Sequence, residues 1–278
     1  MAYKDILVQA DAGEASARRS RIAARLARQF NAELTGVFLR TTFPIQSFTA
    51  GPYGVVPPIV TPKLIAEYED VMDAAAAGAR ASFEAAVREA GVPSEWLTVD
   101  GDTPRAMLQC MRRTDLTVFP RDLLPTVREY GLTPAQLGMW GGGPMLVLPD
   151  VAADQPIGRR VLVAWNDSRE AARALRDAWP LLATAEEVVV LIVSAQGDVG
   201  PEGMLRRHFE HHGCKAKVMV EQSPEASIGE VILRQAAGLN ADLVVMGLYG
   251  HARLQELLLG GVSRDLLKAS PTALLVSH

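Results

Sequence analysis

The sequence predicts an α/β protein made of two tandem, doubly wound domains, each with a parallel five-stranded sheet. Three observations lead to this prediction: the chain length, an internal repeat, and the alternation of short apolar runs with amphipathic stretches. At 278 residues the chain is long for one domain and suits two of about 140 residues each. Apolar residues make up 49% of the chain and charged residues 22%, which is typical of a globular protein with a full core.

Three short motifs occur twice in the same order. The run "ILVQADAG" at 6–13 corresponds to "VLVAWNDS" at 161–168, "DLTVFP" at 115–120 to "DLVVMG" at 242–247, and "PMLVLP" at 144–149 to "TALLVS" at 272–277. Self-similarity of this kind indicates a duplicated unit. We therefore place a first domain at residues 1–150 and a second at 158–278. The polar, proline-containing segment 147–160 joins them.

In the first copy, apolar runs that end in polar turns alternate with helical stretches rich in Ala and Arg. The predicted strands are 5–11, 33–39, 96–100, 115–120 and 144–149. The predicted helices are 14–30, 61–91 and 104–113, of which the longest begins at Thr61 and Pro62 and stops at Gly91. The segment before the last strand has only a weak pattern.

The second copy repeats this plan but replaces the long helix with a turn and a short helix at 200–213. Its strands are predicted at 160–166, 187–194, 215–221, 242–247 and 272–277, and its other helices at 169–183, 226–238 and 262–269. Strands rich in Val and Leu without clean alternation indicate a sheet covered on both faces. Right-handed crossovers then make each copy a doubly wound domain.

Charge and cysteine content exclude several classes of protein. A formal net charge of −4 argues against a general nucleic-acid or anionic-membrane surface. The two cysteines, Cys110 and Cys214, are too few for a disulfide framework, so we expect a reducing, cytoplasmic setting. We expect neither a signal peptide nor a membrane span, because no sufficiently long apolar run occurs.

The segment "GLYGHARLQELLLGG", 247–261, carries glycines at both ends of an otherwise amphipathic stretch. Ligands of parallel sheets bind beyond the carboxyl ends of the strands, and Gly247 and Gly250 directly follow a buried strand. Gly260 and Gly261 interrupt the apolar stripe and open the last helix, whose free N-terminal amides suit an anion. We expect these glycines to let backbone approach phosphates. A simple strand-exit turn is the alternative.

The longer stretch "MGLYGHARLQELLLGGVSRDLL" resembles the universal stress protein signature, a GxxG pair followed, after nine intervening residues, by Gly and a hydroxyl residue. Met246, Gly247, Gly250 and Gly260 occupy matching positions. The run "VLVAWNDS" resembles the first strand of that family, and "SPTALLVSH" its last. The resemblance covers the chain as two tandem domains. It implies the adenine nucleotide alpha hydrolase-like architecture, with strand order 3-2-1-4-5.

The resemblance also implies an adenine nucleotide, ATP or AMP with or without magnesium, in the second domain of a stress-response sensor or regulator. Two positions depart from the family pattern, since Asn166 stands where aspartate is usual and Gly261 where Ser or Thr is usual. Ser263 replaces that hydroxyl only if the helix start shifts. The residues implied by position are Asn166 and Val193 near adenine or ribose, and Gly247, Gly250, Gly260, Gly261 and Val262 around the phosphates.

The first domain departs further from the family pattern, and we interpret it as degenerate for nucleotide. Asp11 keeps the carboxylate that follows the first strand, but Pro120 stands at the position of Gly247. The glycines at 141–143 directly precede the last strand, which suits a turn. Asp11 and Asn166 are equally well explained as residues that end strands and cap helices.

Several functional readings stay open. A nucleotide-free interaction scaffold is the main alternative, with the last strands or the apolar loop 41–62 contacting partners; that loop is either a surface loop or a lid. No recognised catalytic motif occurs, and Ser168, Ser263 and Ser270 suit caps better than nucleophiles. The family resemblance leaves slow ATP hydrolysis or self-phosphorylation as a weaker alternative.

Two further features concern metals and assembly. His208 and His212 have the i, i+4 spacing of a zinc pair, with His211 and Cys214 nearby, but a solvated helix face is the more frequent explanation. Duplicated domains in one chain often keep the symmetry of an ancestral pair. We therefore expect the two domains to form an internal pseudo-dimer, with homodimerisation also open.

Overall fold

In the computed structural model, the described residues form one ten-stranded sheet with helices on both faces. These residues are 2–43, 61–101, 103–122, 133–150, 154–194, 202–222, 227–248 and 261–278. Most of the 41–62 loop and the glycine-loop residues 249–260, including Gly250 and Gly260, lie outside them. None of the helices in the described ranges combines the length and apolarity needed to cross a bilayer.

The elements alternate between strand and helix in both halves, as the sequence predicts. The strands are β1 Asp5–Ala10, β2 Glu33–Arg40, β3 Ser94–Asp100, β4 Leu116–Pro120, β5 Met145–Leu148, β6 Arg160–Trp165, β7 Glu187–Ser194, β8 Ala216–Gln222, β9 Leu243–Gly247 and β10 Ala273–Ser277. The helices are α1 Glu14–Phe30, α2 Pro62–Ala90, α3 Pro104–Met111, α4 Pro134–Trp140, α5 Arg169–Leu182, α6 Glu202–His211, α7 Ile228–Gly238 and α8 Gly261–Ala269.

Helix α4 occupies the segment for which the sequence pattern was weak. Thr133 caps it, because its hydroxyl accepts the N–H of Gln136 at 3.3 Å, and the Gln136 side chain in turn meets the Thr133 backbone N–H. Pro134 occupies the first turn, where its missing N–H costs nothing. The capping box was the signal available in the sequence for this short helix.

The sheet order is β3-β2-β1-β4-β5-β10-β9-β6-β7-β8. Each half therefore has the predicted order 3-2-1-4-5, with parallel neighbours throughout. The two five-stranded sets are joined, because β5 and β10 pair antiparallel with Leu146 opposite Leu275. The sequence predicted two sheets but not this junction between their last strands.

The hydrophobic core is shared by the two halves on both faces of the sheet. On one face, Ile22 and Leu26 of α1 lie in the same buried cluster as Leu175 of α5. Each such fully buried side chain stabilises the fold by about 1.5–3 kcal/mol. Tyr3 links the halves as well, since its buried hydroxyl donates to the Asp177 carbonyl oxygen at 2.5 Å. Burial raises the pKa of Tyr3, so the hydroxyl remains a donor.

An aspartate that precedes the fourth strand of each half holds the start of the first strand. The Asp115 carboxylate accepts the N–H groups of Lys4 and Asp5 at 2.6 and 3.1 Å. In the second half, the Asp242 carboxylate accepts three N–H groups, from Gly158 at 2.7 Å and from the next two residues at 3.0–3.1 Å. The repeated "DL" of the sequence thus fixes where neighbouring strands begin.

We expect Asp242→Ala to lower the free energy of unfolding by about 2 kcal/mol, because three backbone donors lose a charged acceptor. Urea denaturation followed by circular dichroism measures the change. Glu67→Ala removes an exposed carboxylate 3.7 Å from Lys63 and should cost under about 0.5 kcal/mol. Equal stability of the two variants would show that the Asp242 contacts add nothing.

Candidate functional site

Strand β6 lies between β7 and β9, and the chain leaves β6 and β9 in different directions. Helix α5, which follows β6, packs with Leu175 and Ala178 on one face of the sheet. Helix α8, which follows β9, packs with Leu266 and Leu267 on the other. Neighbouring strand ends from which helices diverge to opposite faces form the switch point at which ligands of such sheets bind. We call the gap between the ends of β6 and β9 the crevice.

Asn166 follows β6 at the crevice and is exposed. Its side-chain oxygen accepts both the N–H of Ser168, at 3.3 Å, and the Ser168 hydroxyl, at 2.7 Å. Ser168 in turn caps α5 by accepting the N–H of Ala171 at 3.1 Å. Asp167 between them has a φ of 56°, in the left-handed region where Asn and Asp are tolerated best. Ser168 is therefore the N-cap of α5, and Asn166 forms the turn just before it rather than the cap itself.

Gly247 ends β9 beneath the first turn of α5. A Cβ at this position would lie 2.4 Å from the carbonyl carbon of Glu170 and 2.5 Å from the nitrogen of Ala171. Both atoms belong to backbone, so no side-chain rotation could relieve the clash. Close packing of helix on strand therefore accounts for this glycine, with or without a phosphate nearby.

Three of the apolar residues implied at the site have side chains directed into the core. Met246 is 4% exposed. Val193 and Val262 are partly buried against the same apolar layer, on the face that α8 covers. A ligand in the crevice would therefore meet the backbone of these residues rather than the ends of their side chains.

Helix α8 begins at an exposed glycine. An added Cβ at Gly261 would meet no atom within 4 Å among the described residues outside its own helix turn. Ser263, in the same turn, is buried. The sequence-predicted residues that the structure describes therefore divide into two groups. Asn166 and Gly247 lie at the ends of β6 and β9 and Gly261 is the exposed first residue of α8, whereas Val193, Met246, Val262 and Ser263 are buried or partly buried.

The model of the universal stress protein family matches residues 158–278, the part of the chain that holds this crevice. Residues 158–278 belong to the universal stress protein family. The match begins just before β6 and includes the glycine loop. No curated protein is detectably similar in sequence to the chain.

Solved structures extend the similarity of fold to the first half. A universal stress protein from Archaeoglobus fulgidus DSM 4304 matches 98% of this chain and 97% of its own, with a TM-score of 0.71 and 19% identity. A putative universal stress protein from Pseudomonas aeruginosa UCBPP-PA14 matches 99% and 93%, with a TM-score of 0.56 and 15% identity. At these identities the likeness shows the fold alone, and it covers both halves of the chain.

In the first half of the chain, the side chain of Arg19 on α1 packs against the end of β1. Its side chain is 3% exposed. The guanidinium donates to the Gln9 carbonyl at 2.7 Å, to the Gln9 side-chain oxygen at 2.8 Å and to the Asp11 carboxylate at 2.8 Å. Burial lowers the pKa of Arg19, and the charge of Asp11 opposes that effect. The repeat places Ala164 and Ala174 at the positions of Gln9 and Arg19. The second half therefore has no arginine at the position equivalent to Arg19.

Little space remains beside Arg19. The cavity next to it, lined by Arg18 and Asp150 among others, has a volume of about 10 Å³, which is room for about one water molecule. Burial, and then the charge of Asp122, raises the pKa of Asp150. Sequence reasoning did not single out Arg19. An arginine among the apolar positions of an amphipathic helix was the signal that could have revealed it.

Helix α2, whose counterpart in the described part of the second half is the shorter α6, covers the ends of β1 and β2. Ala10 and Phe38 form a small buried cluster with Ala79 of this helix, and Met72 packs against it. One turn further towards the start of α2, the hydroxyl of Tyr68 lies 2.7 Å from that of Thr41. These contacts support the interpretation that the first half is degenerate for nucleotide.

The histidine pair lies at the other end of α5 from the crevice. His208 and His212 contact Trp179 in the last turns of that helix, whereas the buried Cys214 thiol is 3.7 Å from the Leu182 carbonyl oxygen. Desolvation, together with the positive charge of His212, lowers the pKa of His208. Within the described ranges, no group of three or more His, Cys, Asp or Glu is arranged to hold a metal.

Proposed function

We propose that residues 158–278 bind an adenine nucleotide, ATP or AMP, in the crevice, and that the protein acts as a stress-response sensor or regulator. The observation that supports this most is the exposure of Gly261, the first residue of α8. The first N–H groups of a helix have no partner within it, and its dipole favours an anion there. Gly261 leaves that turn free of side-chain bulk.

The difference between the halves supports placing the ligand in the second one. Ala164 and Ala174 leave the end of β6 without the buried guanidinium that Arg19 supplies in the first half. In the described part of the second half, the helix that follows β7 is α6, of ten residues, whereas α2 has 29. The phosphates would meet the α8 amides together with Gly250 and Gly260 of the loop, and the adenine or ribose would lie towards Asn166 and Val193.

Regulation would follow from population shift. A nucleotide that binds one arrangement of the 247–261 segment better than another changes the population of each arrangement, by an amount fixed by its differential affinity. A partner protein that contacts this surface then binds more or less tightly. Nothing in this scheme requires hydrolysis of the nucleotide.

Isothermal titration calorimetry of the full chain with ATP and with AMP, each with and without magnesium, tests the proposal. We expect one site per chain, and we expect Gly250→Val to abolish it because a β-branched side chain would obstruct backbone contact with phosphate. Gly238→Ala is the matched control, since a Cβ there meets nothing within 4 Å. Absence of heat with every nucleotide would overturn the proposal.

An interaction scaffold without nucleotide is the second candidate. It is favoured by Asn166, whose side-chain oxygen already serves the turn before α5. In a scaffold, Gly250→Val would leave partner binding unchanged. In a nucleotide sensor, the same variant would lose the response of partner binding to ATP or AMP.

A further inference from the structure

An aromatic cluster joins α5 to α6 at the end of the molecule away from the crevice. The ring of His212 stacks on Trp179, with centroids 4.2 Å apart and planes 19° apart. His208 contacts both rings, at 5.5 Å from Trp179 and 4.8 Å from His212. Phe209, which is fully buried, packs against the same tryptophan at 5.1 Å and anchors α6.

The two imidazoles are arranged as a chelating pair. Residues four apart on a helix lie on one face, and the His212 N–H still bonds to the His208 carbonyl at 3.3 Å, so the helical turn continues to His212. With metal–nitrogen bonds of about 2.1 Å, two imidazoles on adjacent positions of one ion have centroids roughly 4.5–5 Å apart. The observed separation of 4.8 Å and plane angle of 70° agree with this geometry.

The surroundings set the class of ion. The positive charge of Arg176 on α5 acts against any bound cation, so the ligand atoms and not the local charge select the ion. Hard cations such as Mg²⁺ and Ca²⁺ need several oxygen ligands, which this cluster does not offer. Imidazole nitrogen suits the late first-row transition metals, and among these Cu²⁺ binds a given set of nitrogen ligands most tightly.

We propose that His208 and His212 together bind one late transition-metal ion, with Cu²⁺ bound most tightly and water completing its coordination. Both side chains are exposed and reachable by the hydrated ion. Trp179 is the positioning residue, because its stacking holds the His212 ring in place before metal arrives. This site is separate from the crevice, so the proposal of a metal site does not depend on nucleotide binding.

Titration of the full chain with Cu²⁺, followed by calorimetry and by tryptophan fluorescence, tests the site. We expect one tight Cu²⁺ per chain and quenching of Trp179, which lies against a bound imidazole. His208→Ala and His212→Ala should each weaken binding by about tenfold or more, because a tethered second ligand is lost. His211→Ala is the matched control and should bind as the natural chain does.

Two further measurements locate the ion and guard against misfolding. Trp179→Phe should keep most of the calorimetric binding but lose the quenching, and electron paramagnetic resonance should show two imidazole nitrogens on the copper. Circular dichroism establishes that each variant is folded. Equal Cu²⁺ affinity of the natural chain and a folded His208→Ala/His212→Ala double variant would overturn the proposal, as would an equal loss in His211→Ala.

Discussion

Gly247→Val will lower the free energy of unfolding by about 3 kcal/mol and will also abolish the nucleotide binding that we propose for residues 158–278. The added Cβ would lie 2.4–2.5 Å from backbone atoms of Glu170 and Ala171, so relief requires movement of α5 as a whole. Overpacking of this kind costs about 1–3 kcal/mol for a yielding neighbour, and a helix backbone yields less than a side chain. Because Ser168 and Asn166 form the turn that starts α5, moving the helix also distorts the crevice.

Guanidinium denaturation and nucleotide calorimetry measure the two effects. Gly261→Ala is the matched glycine control for stability alone, since its added Cβ meets no atom of the described residues within 4 Å and alanine favours the helix by up to about 1 kcal/mol. We expect that variant to be at least as stable as the natural chain. A Gly247→Val protein of natural stability would mean that α5 is not packed on β9 as described.

Arg19→Met will destabilise the protein by about 3 kcal/mol, although it replaces one long side chain with another. Removing one partner of a buried ion pair leaves the other without compensation, which typically costs about 3–5 kcal/mol when both are fully buried. The Asp11 side chain is 21% exposed, so hydration of its carboxylate offsets part of the free energy lost with the ion pair. Gln9, which is 3% exposed, loses donors to both of its oxygens.

Arg80→Met separates this effect from the general loss of an arginine. Arg80 pairs with Glu84 at 2.7 Å, but its side chain is 59% exposed, and such pairs contribute at most about 0.5 kcal/mol. Urea denaturation of both variants gives the comparison. If Arg19→Met cost no more than Arg80→Met, the network at the end of β1 would not contribute to stability.

Much of the fold follows from local patterns. Apolar runs of five to eight residues set the strands, and caps such as Thr61 with Pro62 set where helices begin. The left-handed Gly91 and Asn31 end α2 and α1. These signals lie within a few residues of the feature they determine. Helix α4 was missed because at seven residues it is too short to show a period, despite its capping box.

The candidate site was also predicted only in part from local sequence patterns. The repeat and the glycine spacing indicated which strand ends matter, and the family match on residues 158–278 agrees with the resemblance carried by that segment. The roles assigned to Asn166, Val193, Met246, Gly247, Gly261, Val262 and Ser263 remain predictions, as do those of Gly250 and Gly260 outside the described residues. Homodimerisation and the domain boundaries also remain predictions.

The sequence by itself determined the order of the elements, the duplication and the place of the glycine loop, because each depends on neighbours along the chain. Only the tertiary structure decided that β5 pairs with β10, that α5 packs on Gly247, and that Arg19 is buried against the end of β1. It also brought Trp179 against His212. These contacts join residues from different elements, and which of many compatible surfaces meet is settled only when the whole sheet packs.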